Sequence, residues 1–372
     1  MLNLLKDIRF KKHILACGSE LKNTFCLAKD NKIFISDVIG DLKSVDSLSV
    51  FEKKIEYYKK KFGVKPEIIA YDKHPEYLST KYALSLLKSY PSLTGISVQH
   101  HYAHLVSCVF DSISKVPEEK IIGVAFDGLG YGDDGAFWGG EFFVFDFKKY
   151  ERVAHLEYIP MPGGEKAILE PWRMGCVYLQ RAFGNVKLAP AQWQIIKQMI
   201  DKKVNSPETS SMGRLFDAVS AILNIRKKIE FEAQAAIELE KNAWQCDKSF
   251  RLVKPYRFSY RPAAKTILIS PIPLIKEITS DIKKGLSKPE IAYKFHFSVA
   301  EMVCDVCKII RKKTGIKKVA LSGGVFQNKL LTKFVFEILE KNKFEVIRHK
   351  NLSTTDSSIS VGQAIIASQV FK

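Results

Sequence analysis

The order of apolar segments constrains this chain more than any other feature of it. Strand-like runs fall at about 13–18, 23–29 and 32–39, followed by a helical stretch near 47–62. A strand at 67–71, a helix at 76–89, a strand ending at Val98 and a helix beyond it complete one series. The order then starts again, with strands at 120–126, 136–147 and 152–160. A long, mostly helical stretch covers roughly 165–312. A strand at 318–321, a helix from about 327, a strand at 344–347 and a last helix from about 356 close the second series. Two successive βββαβα units predict an α/β chain with mixed sheets flanked by helices. The duplication is topological, without a repeat in the sequence itself.

Such an order suggests two ribonuclease-H-like lobes facing a cleft, as in actin and sugar kinases. The first lobe is expected over 1–116 and the second over 117–372, the second carrying the helical insertion at about 165–312. Met161-Pro162-Gly163-Gly164 and Glu170-Pro171 mark where the insertion leaves its lobe. A chain of 372 residues, 46% hydrophobic and 26% charged, is long enough and ordinary enough for a soluble globular protein. No apolar run approaches the roughly 20 residues that cross a bilayer, and the first residues lack the apolar core of a signal peptide. The expected location is the cytoplasm, with no membrane partner.

Lys and Arg number 58 against 40 Asp and Glu, a net charge of +18. These basic residues are dispersed, with no block of five or six in a row, so a solvated lysine-rich surface is expected rather than a nucleic-acid partner. Seven cysteines, an odd number, argue against a disulfide framework. The single C-x-x-C, Cys304 to Cys307, lies in a helical apolar pattern and reads as helix-core cysteines.

Chemistry concentrates at Val98-Gln99-His100-His101-Tyr102-Ala103-His104, where three of eight histidines meet a strand-to-helix junction. Two imidazoles on one helical face can share a cation, and spacing alone allows either His100 with His104 or His101 with His104. Asp127 ends a predicted strand, where open α/β sheets place ligands, and the glycines after it permit close backbone approach. As bare composition the same loop is hairpin chemistry. Ser322-Gly323-Gly324, opening a helix, offers N–H groups to an anion or nucleotide, or is a plain strand-to-helix turn. Lys22 sits at the tip of an expected hairpin. Asp217 and Glu238 place carboxylates on helices, and Arg173 a cation at a helix start. Each of these four also has a structural reading, as surface turn, solvated face or cap.

Taken together, the strings CGSELKNTF, DVIGDL, FGVKPEIIAYDKHPEYLSTKYA, VQHHYAH, IGVAFDGLGYGDDGAFWGGEFFVFD, ERVAHLEYIPMPGGEKAILEPWRM, GRLFDAVSAIL and VALSGGVFQNKLL resemble the C-terminal portion of the HypF family of hydrogenase-maturation carbamoyltransferases. That portion is shared with antibiotic O-carbamoyltransferases and, more distantly, with threonylcarbamoyl-adenosine tRNA-modifying enzymes. The resemblance covers about residues 14–365 in the family's order. It implies that His100 and His104 are metal ligands together with Asp127 and Asp356, the ion being iron or zinc. It further implies that Lys22 and Arg173 fall in segments lining the transfer site. Gly323, Gly324 and Asn328, with Asp217 and Glu238, match positions around the nucleotide. Two departures stand out: Ser357 and Ser358 follow Asp356 where the family has glycines, and Ala233 stands where a glycine is usual.

By this resemblance the chain is a carbamoyltransferase. It moves a carbamoyl group from carbamoyl-adenylate, derived from ATP, to the C-terminal cysteine of HypE during cyanide-ligand synthesis for [NiFe] hydrogenase. The acylphosphatase, zinc-finger and YrdC-like regions that precede this portion in complete HypF chains have no counterpart in the sequence. A separate YrdC-like protein is therefore the expected supplier of carbamoyl-adenylate. Two other readings use the same residues: an O-carbamoyltransferase or tRNA-modifying relative, and a non-catalytic nucleotide-binding scaffold.

Overall fold

The structure, a computed structural model, describes residues 8–113, 116–186, 191–247 and 254–370. Most of the leading segment read for a signal peptide lies outside them. The chain begins β1 (Phe10–Ala16), β2 (Cys26–Asp30), β3 (Lys32–Ile35), α1 (Val45–Phe62), β4 (Ile68–Asp72), α2 (Leu78–Ser89), β5 (Thr94–Val98) and α3 (His100–Ile113). It continues with β6 (Ile121–Tyr131), β7 (Phe137–Phe145), β8 (Tyr150–Leu156), β9 (Ile159–Pro160), α4 (Glu165–Leu169), α5 (Trp172–Phe183) and α6 (Trp193–Asp201). Next come β10 (Glu208–Thr209), α7 (Met212–Ile222), α8 (Gln234–Trp244), β11 (Ser259–Ala263), β12 (Thr266–Ser270), α9 (Ile272–Lys283) and α10 (Lys288–Thr314). It closes with β13 (Lys318–Ser322), α11 (Lys329–Lys341), β14 (Glu345–Ile347) and α12 (Ile359–Gln369).

The first sheet has the order β3-β2-β1-β4-β5, with β1 antiparallel to β2 and parallel to β4. Within the second sheet, β8-β7-β6-β13-β14 repeat that order strand for strand. Ile14, Leu15 and Ala16 of β1, and Ile121 through Phe126 of β6, are buried on both faces. That is why both central strands read as unbroken apolar runs rather than alternating ones. These are the two ribonuclease-H-like lobes.

The insertion is mostly helical, as its periodicity predicts. It also contains β11 and β12: β12 pairs in parallel with β8, and β11 runs antiparallel along β12, so the second sheet gains two strands at one edge. No residue of β11 is fully buried, and Pro262 sits in it, as an edge strand allows. Such a strand carries little apolar pattern to read. Long α10 starts on a capping box between Ser287 and Glu290 and stops at Gly315 with φ 76°. Cys304 and Cys307 are buried and unbridged inside it. No helix among the described residues is long and apolar enough to cross a membrane.

Two helices are exchanged between the lobes. α3 packs on β6 and β13 of the second sheet, while α12, from the far end of the chain, packs on β1 and β4 of the first. The two helices also pack on each other. One hydrophobic cluster thus takes in Ile14 and Ala16, Val106 and Val109, and Ile365 and Ala320 from four different elements. The histidine helix and the segment leading into α12 meet between the lobes because of this exchange.

Candidate metal centre and cleft

β5 delivers the chain to His100, the first residue of α3, and His104 follows one turn later on the same face. Both rings are fully buried. Asp127 lies on β6 where pairing with β7 changes register between Phe126 and Gly130, and this irregularity re-aims its carboxyl. Asp356 opens a short 3-10 turn ahead of α12. His104 Nε2 is 3.2 Å from Asp127 Oδ2 and 3.5 Å from Asp356 Oδ1. For His100 Nε2 the same distances are 3.4 and 3.8 Å. One ligand atom from each residue lies within 4.8 Å of the others.

Three of those atoms, both Nε2 nitrogens and Asp127 Oδ2, are buried without a hydrogen-bond partner among the described residues. Buried polar atoms seldom go unsatisfied, and their convergence on one point is what a cation requires. Two imidazoles with two carboxylates suit iron or zinc. Burial pulls the His100 pKa down, but Asp72, Asp356 and Asp127 outweigh it and hold it well above the ordinary value. His104 is raised in the same way, against burial, by Asp127 and Asp356. Burial would raise the Asp127 carboxyl, and the two imidazoles hold it well below the usual range instead.

Asp72, at the C-terminal end of β4, escaped the sequence reading. Its Oδ2 is 2.8 Å from His100 Nδ1, both side chains at zero exposure, and its Oδ1 accepts the His74 N–H at 2.9 Å. A carboxylate on the far nitrogen fixes the ring's orientation and leaves Nε2 for a ligand. The strand-end argument that singled out Asp127 applies equally to the Asp of Ile68-Ile69-Ala70-Tyr71-Asp72 and was the available signal. His101, which spacing alone left open, turns elsewhere. Its Nδ1 meets Gln99 Nε2 at 3.1 Å, its ring lies by Trp138, and burial lowers its pKa to about 4.

A cavity of about 640 Å³ opens beside the cluster, lined by Asp127, Asp356, Gly324, Asn328, Asp217 and Ala233 among others. The Gly324 N–H donates to Asp127 Oδ1 at 3.2 Å, tying the glycine turn to the carboxylate. Asn328 caps α11 through the Leu331 N–H (2.8 Å) and meets His296 Nε2 at 2.9 Å. Asp217 pairs with Arg214 at 2.8 Å, and burial raises its carboxyl pKa. Gly323 (φ 102°) packs against the backbone of Phe126. Lys22, at a hairpin tip with φ 45°, reaches across to Glu232 on the cavity wall at 2.5 Å. Lys43 makes a second cross-cleft pair with Glu165, also 2.5 Å.

Two expected positions fall elsewhere. Glu238 is held by Arg226 through two bonds of 2.8 and 2.6 Å and does not line the cavity; Glu240, on another face of α8, does. Two residues along a helix point nearly opposite ways, so the one engaged by Arg226 is turned out. Arg173 is captured by Glu170 three residues before it, at 2.6 Å. It lines a separate cavity of about 550 Å³ with Arg226, Lys227 and Lys228. The serines after Asp356 do not line the main cavity either. Ser358 Oγ bonds to the Thr355 carbonyl at 3.1 Å, and Ser357 Oγ lies 3.0 Å from Thr355 Oγ1. Ala233 does line it, in the left-handed conformation at φ 61°.

Residues 123–363 match the family described as carbamoyltransferase, Kae1-like domain, second subdomain, and residues 9–111 match the HypF Kae1-like domain. Carbamoyltransferase HypF of Synechocystis is 32% identical, over 95% of this chain and 47% of that protein. A carbamoyltransferase HypF homolog of Cupriavidus necator is 29% identical, over 96% of this chain and 91% of that one. A crystal structure of full-length HypF in a phosphate- and nucleotide-bound form superposes with a TM-score of 0.91 at 40% identity, covering 99% of this chain and 47% of that one. The chain spans about half the length of most of the curated HypF relatives it matches. With both of its lobes matched, the chain belongs to the HypF family, and what it shares with that family is the Kae1-like part.

Proposed function

We propose that this chain is a carbamoyltransferase that moves the carbamoyl group of carbamoyl-adenylate to the C-terminal cysteine thiol of HypE. The observation that carries the reading is the convergence of His100, His104, Asp127 and Asp356 at the edge of a cavity large enough for a nucleotide. Family membership and the nucleotide-bound relative support it. These four side chains would hold iron or zinc, which would supply Lewis-acid chemistry at a bound carbonyl.

The remaining work falls to the chain's own groups. Asp72 keeps the His100 ring turned toward the cluster. Adenosine lies along the Gly324 turn and Asn328, opposite Asp217, and Lys22, paired with Glu232 of the cavity wall, is the cation assigned to meet a phosphate entering there. The thiol sulfur attacks the carbamoyl carbon and loses its proton to solvent. The bond from that carbon to the phosphate oxygen breaks, and AMP leaves with the electron pair. Arg173, bonded to Glu170 and lining the other cavity, is assigned no role in this step.

The test mixes the protein with HypE, ATP, carbamoyl phosphate and a YrdC-like protein that makes carbamoyl-adenylate. Mass spectrometry then follows the HypE C-terminal peptide. A gain of one carbamoyl group on the cysteine is expected, dependent on the chain. An unmodified peptide, with the partner shown to make carbamoyl-adenylate, contradicts the reading.

A further inference from the structure

One face of α3 does more than present two histidines. His100, His104, Ser107 and Asp111 recur at intervals of four, three and four, which is one stripe along a helix. The first two residues of the stripe carry the unpaired Nε2 atoms. The last two hold the segment that delivers Asp356. Asp111 is 2% exposed, and its carboxylate accepts the backbone N–H groups of Lys350 (2.7 Å), Asn351 (2.9 Å) and Leu352 (2.9 Å) in succession. The Asn351 side-chain amide adds a bond of 3.1 Å. His349, just before them, places Nδ1 3.5 Å from Asp111 and Nε2 3.0 Å from Ser322 Oγ at the end of β13. Ser107 Oγ lies 3.1 Å from Ser358 Oγ, inside the turn that Asp356 opens.

We infer that Asp111 is a positioning residue: by clamping residues 350–352 onto α3, it sets the distance between the Asp356 carboxylate and the two imidazoles. The inference rests on the metal reading above and extends it to the residue that sets the site's geometry. One carboxylate binding three consecutive amides leaves that backbone a single conformation, and the segment then has only a few residues before Asp356. Because the clamp and the histidines share one rigid helix, the far-lobe carboxylate is referenced to the same element as the ligands it must meet. Without the clamp, Asp356 sits on a loop tethered chiefly through Thr24 and Ser107.

The test uses Co²⁺, whose visible ligand-field bands report the donor set, with calorimetry for affinity and thermal unfolding for stability. Asp111→Asn is compared with Asp281→Asn. Asp281, on α9, is another buried carboxylate, held by Tyr256 and by Lys294 of α10 and outside the cleft lining. Asp111→Asn is expected to lower Co²⁺ affinity, by up to about the tenfold that loss of a ligand's own hydrogen-bond partner costs, and to change the bands, because Asp356 is no longer held in place. Asp281→Asn should leave both at wild-type values even where the melting temperature drops. Wild-type affinity and bands in Asp111→Asn overturn the inference. Should that variant not fold, Asp111→Glu takes its place, since a longer side chain keeps the charge but shifts residues 350–352, with weakened Co²⁺ binding and altered bands expected and wild-type affinity and bands contrary. A wild-type protein that binds no Co²⁺ removes the proposed metal, and this inference with it.

Discussion

Gly362 of α12 and Ala103 of α3 touch backbone to backbone. A Cβ built on Gly362 would lie 2.0 Å from the Ala103 carbonyl oxygen. Ala103 is flanked in α3 by His100 and His104, while Gly362 follows Asp356 by less than two helical turns, so this crossing sets how near the two halves of the cluster come.

Gly362→Ala therefore forces the helices apart at a point where only backbone can yield. Overpacking of this kind costs about 1–3 kcal/mol, and more where no flexible side chain can give way. Thermal unfolding should show the loss, and metal affinity should fall with it. Wild-type values for both would mean that the crossing does not control the cluster.

Asp72→Asn keeps the shape but offers His100 Nδ1 a neutral partner, which weakens control of the ring. Metal affinity should drop about tenfold to a hundredfold, read by calorimetry, with little change in the far-ultraviolet circular dichroism. The His101→Gln variant, at a ring facing Trp138 and Gln99, should keep its affinity.

Ala233 stands in left-handed backbone at the cavity wall. A side chain there costs about 1–2 kcal/mol, partly offset by the greater chain entropy glycine loses on folding. Ala233→Gly should raise stability by up to about 1 kcal/mol and bind an adenine nucleotide more tightly, since the backbone can close on the ligand. Calorimetric titration with AMP decides it, and weaker binding would mean that the methyl group contacts the ligand.

Burial alone would raise the Asp111 carboxyl pKa. His349 and the amides of residues 350–352 outweigh burial and hold it below the usual carboxylate range. A depressed folded pKa gives stability that is full above the unfolded value, about 3.9, and is lost as pH falls further. Melting temperature should therefore fall more steeply below about pH 4 in the wild type than in Asp111→Asn, which has no carboxyl to protonate there.

Central strands, buried on both faces, announced themselves as apolar runs, and their order repeated, so the doubled sheet was legible in the sequence. The i,i+4 histidines and Asp127 at a strand end were legible as local chemistry. Three things were not. The His100–Asp72 bond joins residues far apart in the chain, and no local pattern records it. The exchange of α3 and α12 depends on tertiary packing between apolar faces that look alike in sequence. Glu238 and Arg173 occupy familiar strings, yet Arg226 and Glu170 draw them away from the cleft, a contest settled only by neighbours in space.

The account depends most on one cation shared by the two lobes. The most direct test is anomalous diffraction from crystals grown with Zn²⁺. A single strong peak is expected about 2.0–2.1 Å from the Nε2 atoms of both His100 and His104, with carboxylate oxygens of Asp127 and Asp356 completing the set at about 2.0–2.2 Å. No peak there, or one bound by other side chains, contradicts it.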